Sequence, residues 1–282
     1  MWASPLRALL TLGVLVIVAG MAVLMILPFY WMLVTALSPA PDVMAFPPKW
    51  VPSRVTLAHF QYALQKAPWA LYYGNSLVVA VISVGCSLVF GLFAGYAFAV
   101  YRFPLQNVLF LLILSTLMVP VQVTSVALYI LLSRISWVDT YAGILAPNFA
   151  SAFGVFLLRQ AVRQIPGELI EAARIDGAGE WRTFFTISAR LLGPGVVTVL
   201  LFTTVATWNN YFLPLVMLSN PNWYPVTVGL GQWNAQAFSA GDQVIFNLVI
   251  TGSLLAIIPI MIAFLIMQRY WRSGLAAGSV KQ

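Results

Sequence analysis

Residues able to do chemistry are scarce in this 282-residue chain, and they are unevenly placed. Four of its seven acids (Glu168, Glu171, Asp176, Glu180) and four of its eleven arginines (Arg163, Arg174, Arg182, Arg190) lie between residues 163 and 190. Within that stretch Glu171 to Gly179 reads EAARIDGAG. A segment this polar cannot lie in hydrocarbon, and it separates two blocks of apolar sequence. Its chemistry is recognition: carboxylates and guanidiniums can pair with the surface of a soluble partner. Catalysis has little to draw on. His59, the single histidine, stands beside Phe60 in a loop and reads as a residue holding a local hydrogen bond. Cys86, the single cysteine, lies in an apolar run, so neither a disulfide framework nor a cysteine metal site is expected. Lysine occurs only at Lys49, Lys66 and Lys281, none within G-x-x-x-x-G-K-[ST], so the chain has no P-loop and no cofactor site of its own.

The spacing around the charge cluster predicts a two-helix elbow over 163–190. Pro166 can open a helix without losing a useful N–H, and Glu168 complements the positive helix N-terminus. A short helix follows to Asp176, with Leu169, Ala172, Ala173 and Ile175 supplying an apolar side. Gly177 suits a left-handed C-terminal position, and Gly179 loosens the turn. A second helix over 180–188 carries Trp181, Phe184, Phe185 and Ile187. The methyl side chains of Ala172 and Ala173 permit close approach of another surface. The bland alternative is an amphipathic loop lying on a membrane.

The elements that must position this elbow are apolar. The chain is 61% hydrophobic and 7% charged, against about 25% charged in soluble domains, and its mean hydropathy is +0.92. An all-α integral membrane protein is the reading these values allow. The pI near 9.8 does not indicate nucleic acid, because the basic residues flank apolar spans instead of forming a patch. Six runs are long enough to cross a bilayer, near 9–37, 73–100, 107–132, 141–158, 192–218 and 244–267. They leave a short N-terminal segment at 1–8, an outer loop at 38–72 and a core at 73–282. The first run begins like a signal peptide after Arg7, but it continues past Pro28 to Leu37 without a clean A-x-A site, so a retained anchor is expected. With the N-terminus cytoplasmic, inside segments hold 10 basic residues and outside segments 4 of the 14. That asymmetry sets both termini and the elbow inside. No Lys, Arg, Asp or Glu falls well inside a span, so ion-coupled carriage and intramembrane catalysis both lack their usual residues.

Polar side chains in or beside the spans are Asn75, Gln122, Asn148, Asn209 and Asn210. Each can bond a neighbouring helix, or line a route for a hydroxyl-rich solute, since neutral amides donate and accept. Asn209 and Asn210 are the leading path candidates, with Gln122 and Asn75 behind them. Gly85, Gly91 and Gly95 read as close helix packing. The outer segments carry Trp50, Trp69, Trp223 and Trp233, which suit interfacial anchoring or contact with an external protein. In the second outer segment, 219–243, Gly229 and Gly231 suggest a tight loop presenting Gln232, Trp233 and Asn234.

EAARIDGA, with Ile187 ten residues after Gly177, resembles the EAA signature of bacterial ABC importer permeases. GNSLVVAVISVGCSLVFGLFAGYAFAVYRFP (74–104), LMVP–Q (117–122), FGVFLLRQ (153–160) and TWNNYFLPLVML (207–218) are similar to the carbohydrate branch of that family, in particular the smaller permease of maltose, trehalose and glycerol-phosphate systems. The resemblance implies a type I ABC importer permease fold of six transmembrane helices in a bacterial inner membrane. It implies that Glu171, Ala172, Ala173, Asp176, Gly177 and Ile187 contact an ATPase. It also implies a second permease subunit, two copies of the ABC ATPase, which hold ATP and Mg, and an extracytoplasmic solute-binding protein. The solute implied is a sugar, with glycerol 3-phosphate as the alternative. One departure stands out: the signature's I-x-L-P reads Ile187, Ser188, Ala189, Arg190 here, with Pro194 retained. Without a proline ring at 190 the second elbow helix should run a turn longer.

Overall fold

Lipid offers no partner to a backbone N–H or C=O, so apolar runs must close their hydrogen bonds internally, as helices. The computed structural model describes residues 5–43, 45–240 and 243–278. The first four residues of the expected 1–8 segment and Lys281 of the tail lie outside the described residues. Helix α1 (Pro5–Leu37) continues through Pro28. Among the described residues the proline-rich stretch after it forms two short helices, α2 (Ala40–Val43) and α3 (Ala58–Lys66). Helix α4 (Trp69–Val100) starts four residues before the apolar run at 73.

Where the sequence suggested simple spans, several are broken. The third run is α5 (Gln106–Ser115), a 3-10 turn, then α6 (Val121–Arg134), and the two limbs bend by 103°. Pro120 causes the break: it lacks an N–H and keeps Val119 extended. The fourth run divides at Pro147 into α7 (Tyr141–Leu145), a 3-10 turn and α8 (Ala152–Arg163). Ser151 caps α8 by accepting from the Gly154 N–H at 3.1 Å. The elbow holds α9 (Gly167–Ile175), α10 (Glu180–Thr183), a π turn over Phe184–Ser188 and α11 (Ala189–Leu191). After a bend of 74° comes α12 (Gly193–Trp208). Only the α12 limb reads as membrane, because Glu180–Leu191 carries Glu180, Arg182 and Arg190. Then α13 (Phe212–Met217), α14 (Val226–Ala240) and α15 (Gln243–Gly278) complete the chain. Among the described residues four helices suffice to span a bilayer, and six spans result when each bent pair counts as one.

The chain divides into two units, residues 1–68 with 230–257, and residues 69–229 with 258–282. In the second unit α4 is the central mast, packed against α8 and α12. Near its Asn75 end, Val79 joins Leu132, Ile144, Leu145, Leu213 and Met217. Towards its other end Tyr96 joins Val162, Phe184 and Leu192, while Phe98 joins Phe110 and Val155. The α4–α8 contact is close because two glycines remove side chains from it. A Cβ on Gly95 would sit 2.8 Å from the Arg159 backbone nitrogen, and one on Gly91 would meet Leu158 Cδ1 at 3.0 Å. Gly85 faces open space, so only two of the three expected packing glycines pack. The expected outcome is that Gly95→Ala destabilises by about 1–3 kcal/mol in spite of its better helix propensity, whereas Gly85→Ala is neutral or stabilising. Thermal unfolding of both variants in detergent checks this.

Candidate coupling elbow and solute path

The turn of the elbow is a Schellman motif, and it explains why glycine stands at 177. Gly177 has φ +79°, its N–H donates to Arg174 O at 3.0 Å, and the Ala178 N–H donates to Ala173 O at 2.9 Å. With the first helix stopped there, the chain reverses into Glu180. That carboxylate accepts twice from Arg174, from Nε at 3.0 Å and Nη2 at 3.2 Å, and once from Tyr101 Oη at 2.7 Å. Tyr101 directly follows α4, so one carboxylate ties both elbow helices to the end of the mast. The Arg174 and Tyr101 bonds hold the Glu180 carboxyl below the usual carboxylate range. Burial and the bond to Glu180 push the Tyr101 phenol up to about 12.

Inward-facing residues complete the attachment. Phe184 is buried against Tyr96, with ring centroids 5.0 Å apart, and Phe93 stands 5.2 Å from Phe184. Ile170 and Ala173, three residues apart on α9, are buried on the same side. Other elbow side chains are exposed: Ile175 is 85% and Trp181 69% accessible, and Leu169, Ala172 and Phe185 are exposed with them, the Trp181 and Phe185 rings also meeting Phe93 of α4 at 5.7 and 6.4 Å. Of the six expected ATPase-contact residues, Glu171, Ala172, Asp176 and Gly177 face outward. Ile187 is half-buried, and Ala173, only 7% accessible, serves the elbow's own seat. The helix does continue through Ala189–Leu191, as the missing proline at 190 predicts. Sequence reasoning missed the Tyr101–Glu180 link; a tyrosine just past an apolar span was the available signal.

The amides separate into two groups. Asn75, 3% accessible, donates to Asn222 O at 2.8 Å and Tyr224 O at 3.0 Å and accepts from Tyr141 Oη at 2.6 Å. It is a brace for the 220–226 segment, with its bonding capacity largely spent, and it drops out as a path residue. Gln122 is exposed on the first turn of α6 and Asn209, also exposed, donates to Val205 O at 2.9 Å. Asn210 and Asn148, by contrast, line one recess of about 400 Å³ together with Ser151, Thr203 and Thr207. Backbone breaks produce this recess: Asn210 Oδ1 accepts from the Leu213 N–H at 3.4 Å, and Asn148 Nδ2 donates to Ile144 O at 2.7 Å. Its lining holds no charged side chain.

Two expectations are corrected. Gln232, Trp233 and Asn234 lie on helix α14 and not in a tight loop. Gly229 serves packing instead, since an added Cβ would collide with the Tyr72 ring, and the Val226 N–H at the start of α14 donates to Ser76 Oγ at 2.9 Å. The spans are also not wholly free of charge. Arg159 lies in the apolar stretch Tyr141–Arg163 and is 6% accessible. Its Nε donates to Phe98 O at 3.1 Å and its guanidinium stacks 3.8 Å from the Phe110 ring centroid. The carbonyl belongs to the last turn of α4, where no later helical N–H serves it, and Arg159 shares it with the Gln106 side-chain amide, whose Nε2 donates at 2.9 Å. Arg159 is therefore a helix lock between α4, α5 and α8, not an ion-coupling group.

Broken apolar spans, a clamped elbow with an exposed apolar face and a neutral polar recess define a multi-pass helical membrane permease. The chain belongs to the family described as binding-protein-dependent transport system inner membrane component, whose model matches residues 87–275. It is 35% identical over 232 residues to the arabinooligosaccharides transport system permease protein AraQ of Halalkalibacterium halodurans, covering 82% of this chain and 81% of that one. It is 35% identical over 210 residues to the sn-glycerol-3-phosphate transport system permease protein UgpE of Yersinia enterocolitica, covering 74% and 73%. To the lactose transport system permease protein LacG of Rhizobium radiobacter it is 32% identical over 211 residues, covering 75% of each. The fold matches the crystal structure of a bacterial ABC transporter involved in the import of the acidic polysaccharide alginate, with TM-score 0.82 and 21% identity over 96% of this chain and 99% of that one. The protein is thus an importer permease subunit of type I ABC fold, a transport component and not an enzyme.

Glu180 supplies a pH test. Its folded-state carboxyl titrates below its unfolded value, so its stabilisation is complete above the ordinary carboxylate range and is lost as pH falls through the folded value. Hydrogen exchange at 176–179 should stay slow from neutral pH down to that range and accelerate below it. Glu180→Gln should remove the acid step at a cost of less than about 1 kcal/mol, because the pair is exposed.

Proposed function

We propose that the chain forms half of the translocation pore of an ATP-driven importer for a neutral sugar or oligosaccharide, in a bacterial inner membrane. One observation carries the coupling part of this reading. The elbow leaves Ile175, Trp181 and Phe185 largely exposed while Glu180, through Tyr101, and Phe184, through Tyr96, fix it to the α4 end. An apolar face rimmed by Glu168, Glu171 and Arg182 suits a cleft on a soluble partner, and the family supplies the partner's class: one of two ABC ATPase copies, holding ATP and Mg. A second permease subunit would close the pore, and an extracytoplasmic solute-binding protein would deliver the solute, with Gln232, Trp233 and Asn234 of α14 as its contact.

Solute chemistry is set by the recess. Asn148, Ser151, Thr203, Thr207 and Asn210 offer neutral donors and acceptors matched to hydroxyl groups. Two of the relatives named above are permeases of arabinooligosaccharide and lactose systems. Glycerol 3-phosphate, the solute in the name of a third relative, would bring a charge that the recess lining does not meet. Arg159 does not change this, since Phe98 O and the Phe110 ring already engage its guanidinium. Asn210→Ala should lower sugar uptake several-fold while ATPase association is retained.

Association with the ATPase tests the elbow. Ile175→Asp and Trp181→Ala should each reduce copurification of the ATPase and abolish coupled uptake, with membrane insertion unchanged; normal uptake in both would refute the assignment. Gly177→Val should act on the turn itself, costing about 1–2 kcal/mol by forcing a β-branched residue to positive φ. Orientation is tested separately. The 10-to-4 basic asymmetry supports a topology with both termini and the elbow in the cytoplasm. A cysteine at Ala235 should react with impermeant thiol reagent added outside intact cells, and one at Asp176 should not. The reverse pattern would invert the topology.

A further inference from the structure

The segment after α1 folds back on the helix it has just left. Tyr30 Oη donates to Trp50 O at 2.7 Å, and the Trp31 and Trp50 rings meet edge to face with centroids 5.2 Å apart. Tyr30 lies seven residues before Leu37, the end of α1, so residue 50 has descended about 10 Å along the helix axis at about 1.5 Å per residue. The return is fixed by Asp42. Its carboxylate accepts from Lys49 Nζ and from both the backbone N–H and the hydroxyl of Ser53. The Lys49 and Ser53 bonds draw the Asp42 carboxyl down to about 2, so the anchor stays ionised in any physiological medium. His59 Nε2 lies 2.9 Å from Ser38 O, and the Thr56 N–H donates to Leu37 O at 2.9 Å, pinning the far side of the loop to the top of α1.

Held in this way, residues 45–52 read AFPPKWVP. Phe46 is 97% accessible, Val51 69% and Trp50 52%. Such exposure of a tethered apolar segment needs a partner, and the segment's level along α1 indicates which. From Leu9 to Leu27 the side chains of α1 are almost all exposed, the surface a span offers to lipid. From Val34 to Ala36 they are buried by protein. Tyr30 and Trp31 stand at the change, about 22 residues after Leu9, the length that crosses a hydrocarbon core. Aromatic residues at that level mark the membrane–water boundary. Trp50 joins them, with Val51 next to it in the chain and Phe46 exposed in the same tethered segment. The segment's only charge, Lys49, is already paired with Asp42, and Pro47, Pro48 and Pro52 carry no N–H to desolvate. An irregular backbone cannot enter the hydrocarbon core itself, which restricts it to the headgroup and acyl boundary.

We infer that residues 45–51 form a wedge that inserts Phe46 and Val51 into the lipid interface beside α1, held in place by Asp42. The wedge requires only that α1 spans the bilayer; it is independent of the solute and of the ATPase contact. The partner is the lipid surface, and the competing partner, a solute-binding protein, is separated by the test. In a Cys86→Ala background, Phe46→Cys, Val51→Cys and Leu64→Cys are labelled with bimane in the assembled importer. The importer is placed in nanodiscs of phosphatidylethanolamine and phosphatidylglycerol, with lipids carrying a doxyl group near the headgroup. Positions 46 and 51 should be quenched at least about twofold, as interfacial insertion requires, while position 64, exposed on α3, is not. Equal and low quenching at all three positions would overturn the wedge. So would bimane spectra at 46 and 51 that report water until the solute-binding protein is added, because the surface would then be a protein contact.

Discussion

Every backbone polar group inside a bilayer must find its partner within the protein, and the shape of this permease is set by the places where a helix cannot supply one. At several such places a side chain takes over. Arg159 accepts the duty at the end of α4 by donating to Phe98 O. Ser151 caps α8 after the Pro147 break. Asn210 accepts from the Leu213 N–H in the first turn of α13 after α12 has stopped, and Asn75 gathers two loop carbonyls and a tyrosine hydroxyl. The polar recess is thus a by-product of interrupted helices. Where backbones break, amides and hydroxyls accumulate, and those same groups are what a sugar can bond.

Packing enforces the arrangement. Around α4 the neighbours approach closely, so that an added Cβ would collide with the α8 backbone at Gly95 and the Tyr72 ring at Gly229 and would press on Leu158 at Gly91. Close approach leaves the helices few alternative registers, because interiors are near crystal density. The elbow inherits this order through Phe184 and Tyr96 and through the carboxylate of Glu180. Its exposed surface combines the apolar side chains of Ile175, Trp181 and Phe185 with the charges of Glu168, Glu171 and Arg182.

Composition and the length of apolar runs made the membrane class and the six spans legible from sequence, since both depend on local hydrophobicity alone. The elbow was legible because proline, glycine and charge punctuate it. Harder to read were features that depend on who meets whom in space. Asn75 and Asn210 look alike in sequence, yet one is saturated by the 220–226 segment and the other lines a recess. Gly229 suggested a turn and proved to be a contact with Tyr72, and the residues after it are helical. Arg159 sat near the end of an apolar run and read as an inside charge; its carbonyl partner, 61 residues away, gives no sequence signal.

The π turn over Phe184–Ser188 has a mechanical consequence. A π turn holds more residues than an α turn and rotates the helix beyond it about its axis. Here Phe184 is buried against the mast, while Trp181 and Phe185, interplanar angle 17°, form a stacked, exposed pair that also meets Phe93 of the mast edge to face. The rings continue inward without interruption, Phe185 to Phe184 at 4.9 Å and Phe184 to Tyr96 at 5.0 Å. Planar rings in contact have little compliance, so a load placed on the outer pair reaches α4 before any flexible side chain can absorb it. An unbroken run of rings therefore joins the exposed pair to α4, beside the Glu180 carboxylate that ties the same elbow to Tyr101.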